Sequence, residues 1–211
     1  MTTLSDAIST VFLVDDDDRI RASLARALRK RRFHVISFAS AEDFLNAYNP
    51  SHPGCLVLDY GMPGLNGLEL QRHLTAANLR IPVIFISGQG GVPESVQAMK
   101  AGAVDFLEKP FRQSELVACI DTAFETDLII RNAEEFTKSA RKRFDRLTAR
   151  EKEIATFMIK HPSTTSSKEV GRQLDISPRT VDHHRARILE KMSIGSIAEL
   201  IDISSSVTLL E

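Results

Sequence analysis

The chain has 211 residues, a formal net charge of −1 and a hydrophobic share of 43%, enough for one or two domains with ordinary cores. No apolar stretch approaches the roughly 18 residues of a membrane span, and no basic segment followed by an apolar one opens the chain, so neither a membrane protein nor a secreted one is expected. The near-neutral total conceals an asymmetry: residues 1–127 carry 12 Lys/Arg against 16 Asp/Glu, whereas residues 141–191 carry 13 against 7, which points to two jobs, the second on nucleic acid.

An apolar run at 10–14 reads as a buried parallel strand that ends in Asp15 and Asp16. Residues 19–31 follow helical periodicity, with Ile20, Leu24, Ala27 and Leu28 on one stripe. Further buried strands are expected at 33–37, 55–58, 81–86 and 104–107. Between them, 40–48 is a helix capped by Ser40 with Phe44 and Leu45 inward. Residues 66–76 form a helix carrying Leu68, Leu70 and Leu74, and 93–101 a short one that Gly102 stops. The βα alternation occurs five times and predicts an α/β fold, a doubly wound five-stranded parallel sheet. Cys55 and Cys119 sit in apolar surroundings without metal-ligand spacing and read as reduced core residues of a cytoplasmic protein.

From 113 to about 143, apolar residues at Leu116, Ile120, Phe124, Leu128, Phe136 and Ala140 predict a helix or helix pair linking two domains. Strand signals vanish after Leu147. Thr148 and Glu151 have capping-box spacing, and Ile154, Ala155 and Met158 form a stripe. A helix through Val170 and Leu174 is followed by a tight turn at Asp175 and Ile176. Ser177 is then an N-cap candidate and Pro178 suits the first helical position, so the pair reads as a helix-turn-helix.

The strand ends carry the chemistry. Parallel strands place their C-terminal ends along one sheet edge, where ligands bind. Asp15 and Asp16 end one strand, Asp59 ends another, and Lys109 follows a third. Carboxylates gathered there cannot all stay ionised without a cation, and an all-oxygen donor set with room for water suits Mg²⁺. A carboxylate beside Mg²⁺ with a lysine in reach is a candidate phosphoryl acceptor.

The ordered pieces Val14-Asp15-Asp16, Leu58-Asp59-Tyr60-Gly61-Met62-Pro63-Gly64, Phe85-Ile86-Ser87-Gly88, Ala101-Gly102-Ala103 and Glu108-Lys109-Pro110-Phe111 resemble a two-component response regulator. Leu147-Thr148-Ala149-Arg150-Glu151, Ile176-Ser177-Pro178-Arg179-Thr180-Val181, His184, Ile188 and Lys191 resemble a LuxR-type DNA-binding domain. The whole is similar to the NarL/FixJ group. That resemblance implies a flavodoxin-like receiver over 8–126, a linker helix over 127–143 and an all-α helix-turn-helix domain over 144–211. It implies that a sensor histidine kinase phosphorylates Asp59. Asp16, Asp59 and the Gly61 carbonyl would bind Mg²⁺, with Asp15 acting mainly through water. Lys109 would pair with the phosphoryl oxygens across a cis bond to Pro110. Ser87 and Phe106 would be the switch pair, the ring turning inward as the hydroxyl moves. Gly61 offers no side chain to shield the phosphoryl group.

In the second domain the helix from Pro178 to about Met192 would be the recognition helix. At about 100° per residue, Val181, Ile188 and Met192 form its buried stripe, while Arg179, His183, Ala186, Arg187 and Glu190 point away, with Asp182 at the edge. By resemblance Asp182, His183 and Ala186 face base edges of a double-stranded operator. Lys168, Arg179, Thr180, Arg185 and Arg187 suit phosphates. A homodimer when phosphorylated, with RNA polymerase as a further partner, completes the implied regulator. Two departures stand out: the connection 160–166 is about three residues longer than usual in the family, and Asp182 occupies an often basic position.

Two other classes compete. A Mg²⁺-dependent phosphatase with an aspartyl nucleophile shares the sheet-edge logic, but its usual second acid two positions on is Gly61 here. A receiver with a decayed DNA-binding domain would act through protein partners alone.

Overall fold

The computed structural model describes residues 8–88 and 91–207. In chain order the first elements are β1 (Thr10–Val14), α1 (Asp18–Lys30), β2 (His34–Phe38), α2 (Ala41–Ala47) and β3 (Gly54–Asp59). They are followed by α3 (Gly67–Ala76), β4 (Val83–Ser87), α4 (Val92–Lys100), β5 (Asp105–Glu108) and α5 (Gln113–Asp145). The remaining elements are α6 (Ala149–Lys160), α7 (Ser167–Leu174), α8 (Pro178–Met192) and α9 (Ile197–Ser206). The chain divides into two compact units, Met1–Arg131 and Asn132–Glu211, and the division falls within α5.

The strands of the first unit form one parallel sheet in the order β2-β1-β3-β4-β5, as the βα alternation predicted. Alternating side chains feed two cores. Phe12, Val14, Leu56, Leu58 and Phe85 meet Phe44, Leu70, Leu74 and Ala98 from α2, α3 and α4. Val11, Leu13, Val57, Ile84 and Ile86 meet Ala25 and Leu28 of α1 and Leu116 and Ile120 of α5. Each such Val, Leu, Ile or Phe side chain, fully buried, contributes about 1.5–3 kcal/mol.

The expectation of five buried strands needs correction. β1, β3 and β4 are buried throughout, but β2 and β5 are the sheet edges, and His34, Ile36, Ser37 and Glu108 are exposed. Cys55 and Cys119 are both free and buried, as read from their surroundings. The Cys119 thiol donates to Asp105 Oδ2 at 3.1 Å.

Helix starts follow their caps. Asp17 Oδ1 accepts from the N–H groups of Arg19 (2.8 Å) and Ile20 (3.0 Å), Ser40 caps α2, and Asn66 forms a capping box with Glu69.

The second unit is helical among its described residues. Its core gathers Phe144, Leu147, Ile154, Met158, Val170, Val181, Ile188, Met192 and Leu200. The Thr148–Glu151 capping box opens α6, and Ser177 with Pro178 opens α8, both as expected. Between α7 and α8 the backbone comes so close that a Cβ on Gly171 would lie 2.6 Å from the Ile176 carbonyl oxygen. Asp175 closes α7 at φ 54°, in the left-handed region. Residues 208–211, at the end of the expected DNA-binding domain, lie outside the described residues.

Candidate functional site

Register builds the first site. Val14 pairs with Leu58, so Asp15 and Asp59 emerge side by side at the β1/β3 boundary. Asp59 lies opposite Ile86, and Ser87 opposite Glu108, which brings Ser87 and Lys109 to the same edge. This boundary is where strand order reverses, the ligand-binding position of an open α/β sheet.

The Lys109 ammonium donates to Asp15 Oδ2 at 2.9 Å and to Asp59 Oδ1 at 2.7 Å. Asp15 Oδ1 accepts from the Asp17 N–H, and Asp59 Oδ2 from the Gly61 N–H, both at 2.9 Å. The Lys109 N–H donates to the Ser87 carbonyl at 2.7 Å, and the Lys109-Pro110 bond is cis. Asp15 and Asp59 are buried to 1% and 7% exposure, so their ionised forms depend on these donors. Burial pushes the Asp15 carboxyl above its ordinary value even beside the Lys109 ammonium. Burial also opposes the Lys109 charge, but its hydrogen bonds to Asp59 and Asp15 more than offset it and raise the lysine above its usual value.

An open cavity of about 610 Å³ covers these groups, with Asp16, Asp17, Tyr60 and Gly61 also on its wall. Asp16 is exposed on its rim, and among the described residues no three acidic, His or Cys side chains gather closely enough to hold a metal. The expected carboxylate trio is thus a tight pair bridged by lysine, with Asp16 apart. Ser87 is buried at the floor. Phe106 already lies against Tyr60 and Phe85, with ring centroids 6.0 and 6.4 Å apart, and is half-buried.

The second site is the outward face of α8. Val181, Ile188 and Met192 are buried, while Arg179, His183, Ala186, Arg187 and Glu190 are exposed, as the helical spacing predicted, and Asp182 at the edge of that face is exposed too. Lys168 on α7 is exposed as well, and Thr180 bonds the Ser177 hydroxyl at 2.7 Å. Two predicted contacts are engaged within the protein. Asp182 Oδ1 accepts from the Ser167 hydroxyl, and Arg185 Nη1 donates to the Thr165 carbonyl at 2.8 Å.

Sequence reading missed the supports of α8. Arg143 donates to the Met192 carbonyl at 2.8 Å, where the helix ends. Buried Glu151 accepts from the Lys191 ammonium at 2.6 Å and the Thr148 N–H at 2.7 Å. Burial opposes the Glu151 charge, yet these donors, Lys191 first, hold its carboxyl below the usual value.

Residues 11–121 match the family described as "Response regulator receiver domain", and residues 145–204 match "Bacterial regulatory proteins, luxR family". The response regulator protein TodT of Pseudomonas putida is 37% identical over 201 residues, 95% of this chain and 87% of TodT. The transcriptional regulatory protein FixJ of Rhizobium meliloti is 38% identical over 192 residues, 91% of this chain and 93% of FixJ. Among solved structures, the response regulator StyR aligns with a TM-score of 0.80 at 38% identity, covering 94% of this chain and 99% of that one. Full-length FixJ from B. japonicum aligns with a TM-score of 0.57 at 35% identity, covering 97% and 100%.

Proposed function

The chain belongs to the two-component transcriptional response regulators, which join a receiver to a luxR-family DNA-binding domain, and from that premise we propose that Asp59 is its phosphoryl acceptor. The observation that carries this is the Asp59 carboxylate, held at the open sheet edge by the Lys109 ammonium and the Gly61 N–H.

A carboxylate oxygen of Asp59 attacks the phosphorus of a sensor kinase's phosphohistidine as the bond from phosphorus to the imidazole nitrogen breaks. Lys109 leaves the carboxylate pair to follow the arriving phosphoryl oxygens. Asp16, Asp59 and the Gly61 carbonyl, with Asp15 through water, would hold Mg²⁺, and a bound Mg²⁺ would supply charge neutralisation for those oxygens. Mg²⁺ usually takes one or two carboxylates and keeps several waters, so a carboxylate pair with Asp16 on the rim fits it. The Ser87 hydroxyl turns to the new group, and Phe106 packs more deeply between Tyr60 and Phe85. This family regulates transcription rather than turning over external substrates. The chemistry is confined to phosphorylation of Asp59 and hydrolysis of the resulting acyl phosphate, which returns the carboxylate and inorganic phosphate.

Phosphorylation would then pair two copies across α4, β5 and the start of α5, where Val92, Val96 and Met99 are exposed. Two α8 helices would meet successive half-sites of a DNA operator, in reach of RNA polymerase. His183 and Ala186 would face base edges, and Lys168, Arg179, Thr180 and Arg187 the phosphates. We place the receiver at 8–126, the linker helix at 127–143 and the DNA-binding domain at 144–211.

The test is capture of genomic DNA fragments by the full chain, with and without beryllofluoride and Mg²⁺ as a phosphoryl mimic. A shared inverted motif enriched only with the mimic is the expected outcome. Equal enrichment in both samples would show DNA binding that needs no phosphorylation.

A further inference from the structure

We propose that Asp182 and Arg185 are positioning residues that lock the connection 161–166 onto the recognition helix, rather than contacts to base and phosphate. The inference rests on the DNA-binding reading of α8 and reassigns two of its residues.

A carboxylate on a face that meets phosphates is costly unless its charge is occupied. Asp182 is such a residue, exposed beside His183, Ala186 and Arg187. Its Oδ1 accepts the proton of the Ser167 hydroxyl, at the start of α7. The same Ser167 oxygen accepts from Arg185 Nη1 at 3.3 Å, and that nitrogen also donates to the Thr165 carbonyl at 2.8 Å. Donor and acceptor roles close: Arg185 donates twice, Ser167 accepts once and donates once, and Asp182 accepts. Residues 182 and 185 stand three apart on α8, so one helix face holds both ends of the chain of bonds.

The connection is also built from its other end. The His161 ring lies against Phe157 with centroids 4.6 Å apart, and the Thr164 N–H donates to the His161 carbonyl at 2.9 Å. Ser166 caps α7 through the Glu169 N–H. The connection thus ends under a guanidinium anchored on α8. Whatever Ser163 and Thr164 touch moves in register with the recognition helix. Arg185, half-buried and committed to a main-chain carbonyl, is poorly placed to follow a phosphate.

Two arms test this on the full chain. Hydrogen exchange without DNA reads the clasp: Arg185→Met is expected to speed the Thr164 amide, which donates to the His161 carbonyl, about tenfold while those of α6 stay slow. Unchanged exchange at Thr164 overturns the clasp. Selection from a random duplex library, with beryllofluoride and Mg²⁺, reads the consequence. Ser167→Ala frees the Asp182 charge and is expected to weaken binding to every duplex about five- to tenfold. Adding Asp182→Asn to Ser167→Ala is expected to restore it. Asp182→Asn alone should leave the preferred sequence unchanged. A changed preference at one base pair would make Asp182 a base reader and overturn the proposal, as would full-strength binding by Ser167→Ala. If the unsubstituted chain selects no duplex, the DNA-binding reading itself fails, and the exchange arm still decides the clasp.

Discussion

The Asp59 site and the outer face of α8 spend their charges in opposite ways. At the sheet edge, Asp15 and Asp59 are withdrawn from water, and each of their four carboxylate oxygens accepts a hydrogen bond from a named donor. On α8 the guanidinium of Arg187 is exposed and pairs with Glu190 at 3.5 Å, while Arg179 and His183 are exposed. A buried charge network admits few arrangements, so it can hold one reactive geometry. An exposed basic face is paired mostly with water and can be re-paired with a polyanion at little cost. The first region suits chemistry at a fixed point, and the second suits binding along a surface.

The largest effect should come from Asp59→Asn, which removes the proposed nucleophile and is expected to leave the fold. Phosphoryl incorporation from a small acyl phosphate, followed by intact mass, should fall to background. Incorporation at an unchanged level would move the acceptor elsewhere and dissolve the contrast. Next comes Lys109→Met, which strands two buried carboxylates. Urea unfolding should show a loss of up to about 3 kcal/mol, and the variant should no longer respond to beryllofluoride.

Buried Glu151, paired with Lys191, is a small copy of the buried-charge design beneath α8, so Glu151→Gln sharpens the comparison. It should cost about 1–2 kcal/mol at neutral pH. The folded Glu151 carboxyl lies below its ordinary 4.5, so its contribution is present above that value and is lost as pH falls through the folded one. The gap between wild type and variant should therefore close in acid. A gap independent of pH would show that packing, not charge, holds Lys191 there. The smallest effect belongs to the open face: Arg187→Ala should weaken DNA binding similarly for all sequences and reduce the salt slope by about one. A change in sequence preference instead would make Arg187 a reader of bases.

Much of the first region was legible because burial leaves a local trace. Apolar runs ended by Asp15 and Asp59 located two strand ends, and a lone lysine after a third completed the site. The pairing of Lys109 with both carboxylates was not legible, because it depends on register between strands 94 residues apart in sequence at their ends. Edge strands were misread as buried because a run such as His34–Phe38 has the same composition whether or not a neighbour covers it. Helix α9 went unnoticed behind its serine run. Its signals were present: Ser196 accepts from the Glu199 N–H at 3.2 Å, and Ile197, Leu200 and Ile203 repeat at helical spacing. The clasp of Asp182, Ser167 and Arg185 left no trace in spacing, since it joins a loop to a helix across a turn.

The two cysteines have a practical consequence at the bench. Burial pushes the Cys55 thiol far up, and burial followed by the Asp105 hydrogen bond pushes that of Cys119 up to about 12. Neither offers an appreciable thiolate near neutrality, and the thiolate is the form that alkylates. The native chain should thus be almost silent to maleimide dyes while folded. A single new cysteine on an exposed position such as Ala186 or Met99 would then take one label, with Cys55 and Cys119 left in place, so fluorescence could follow each unit separately.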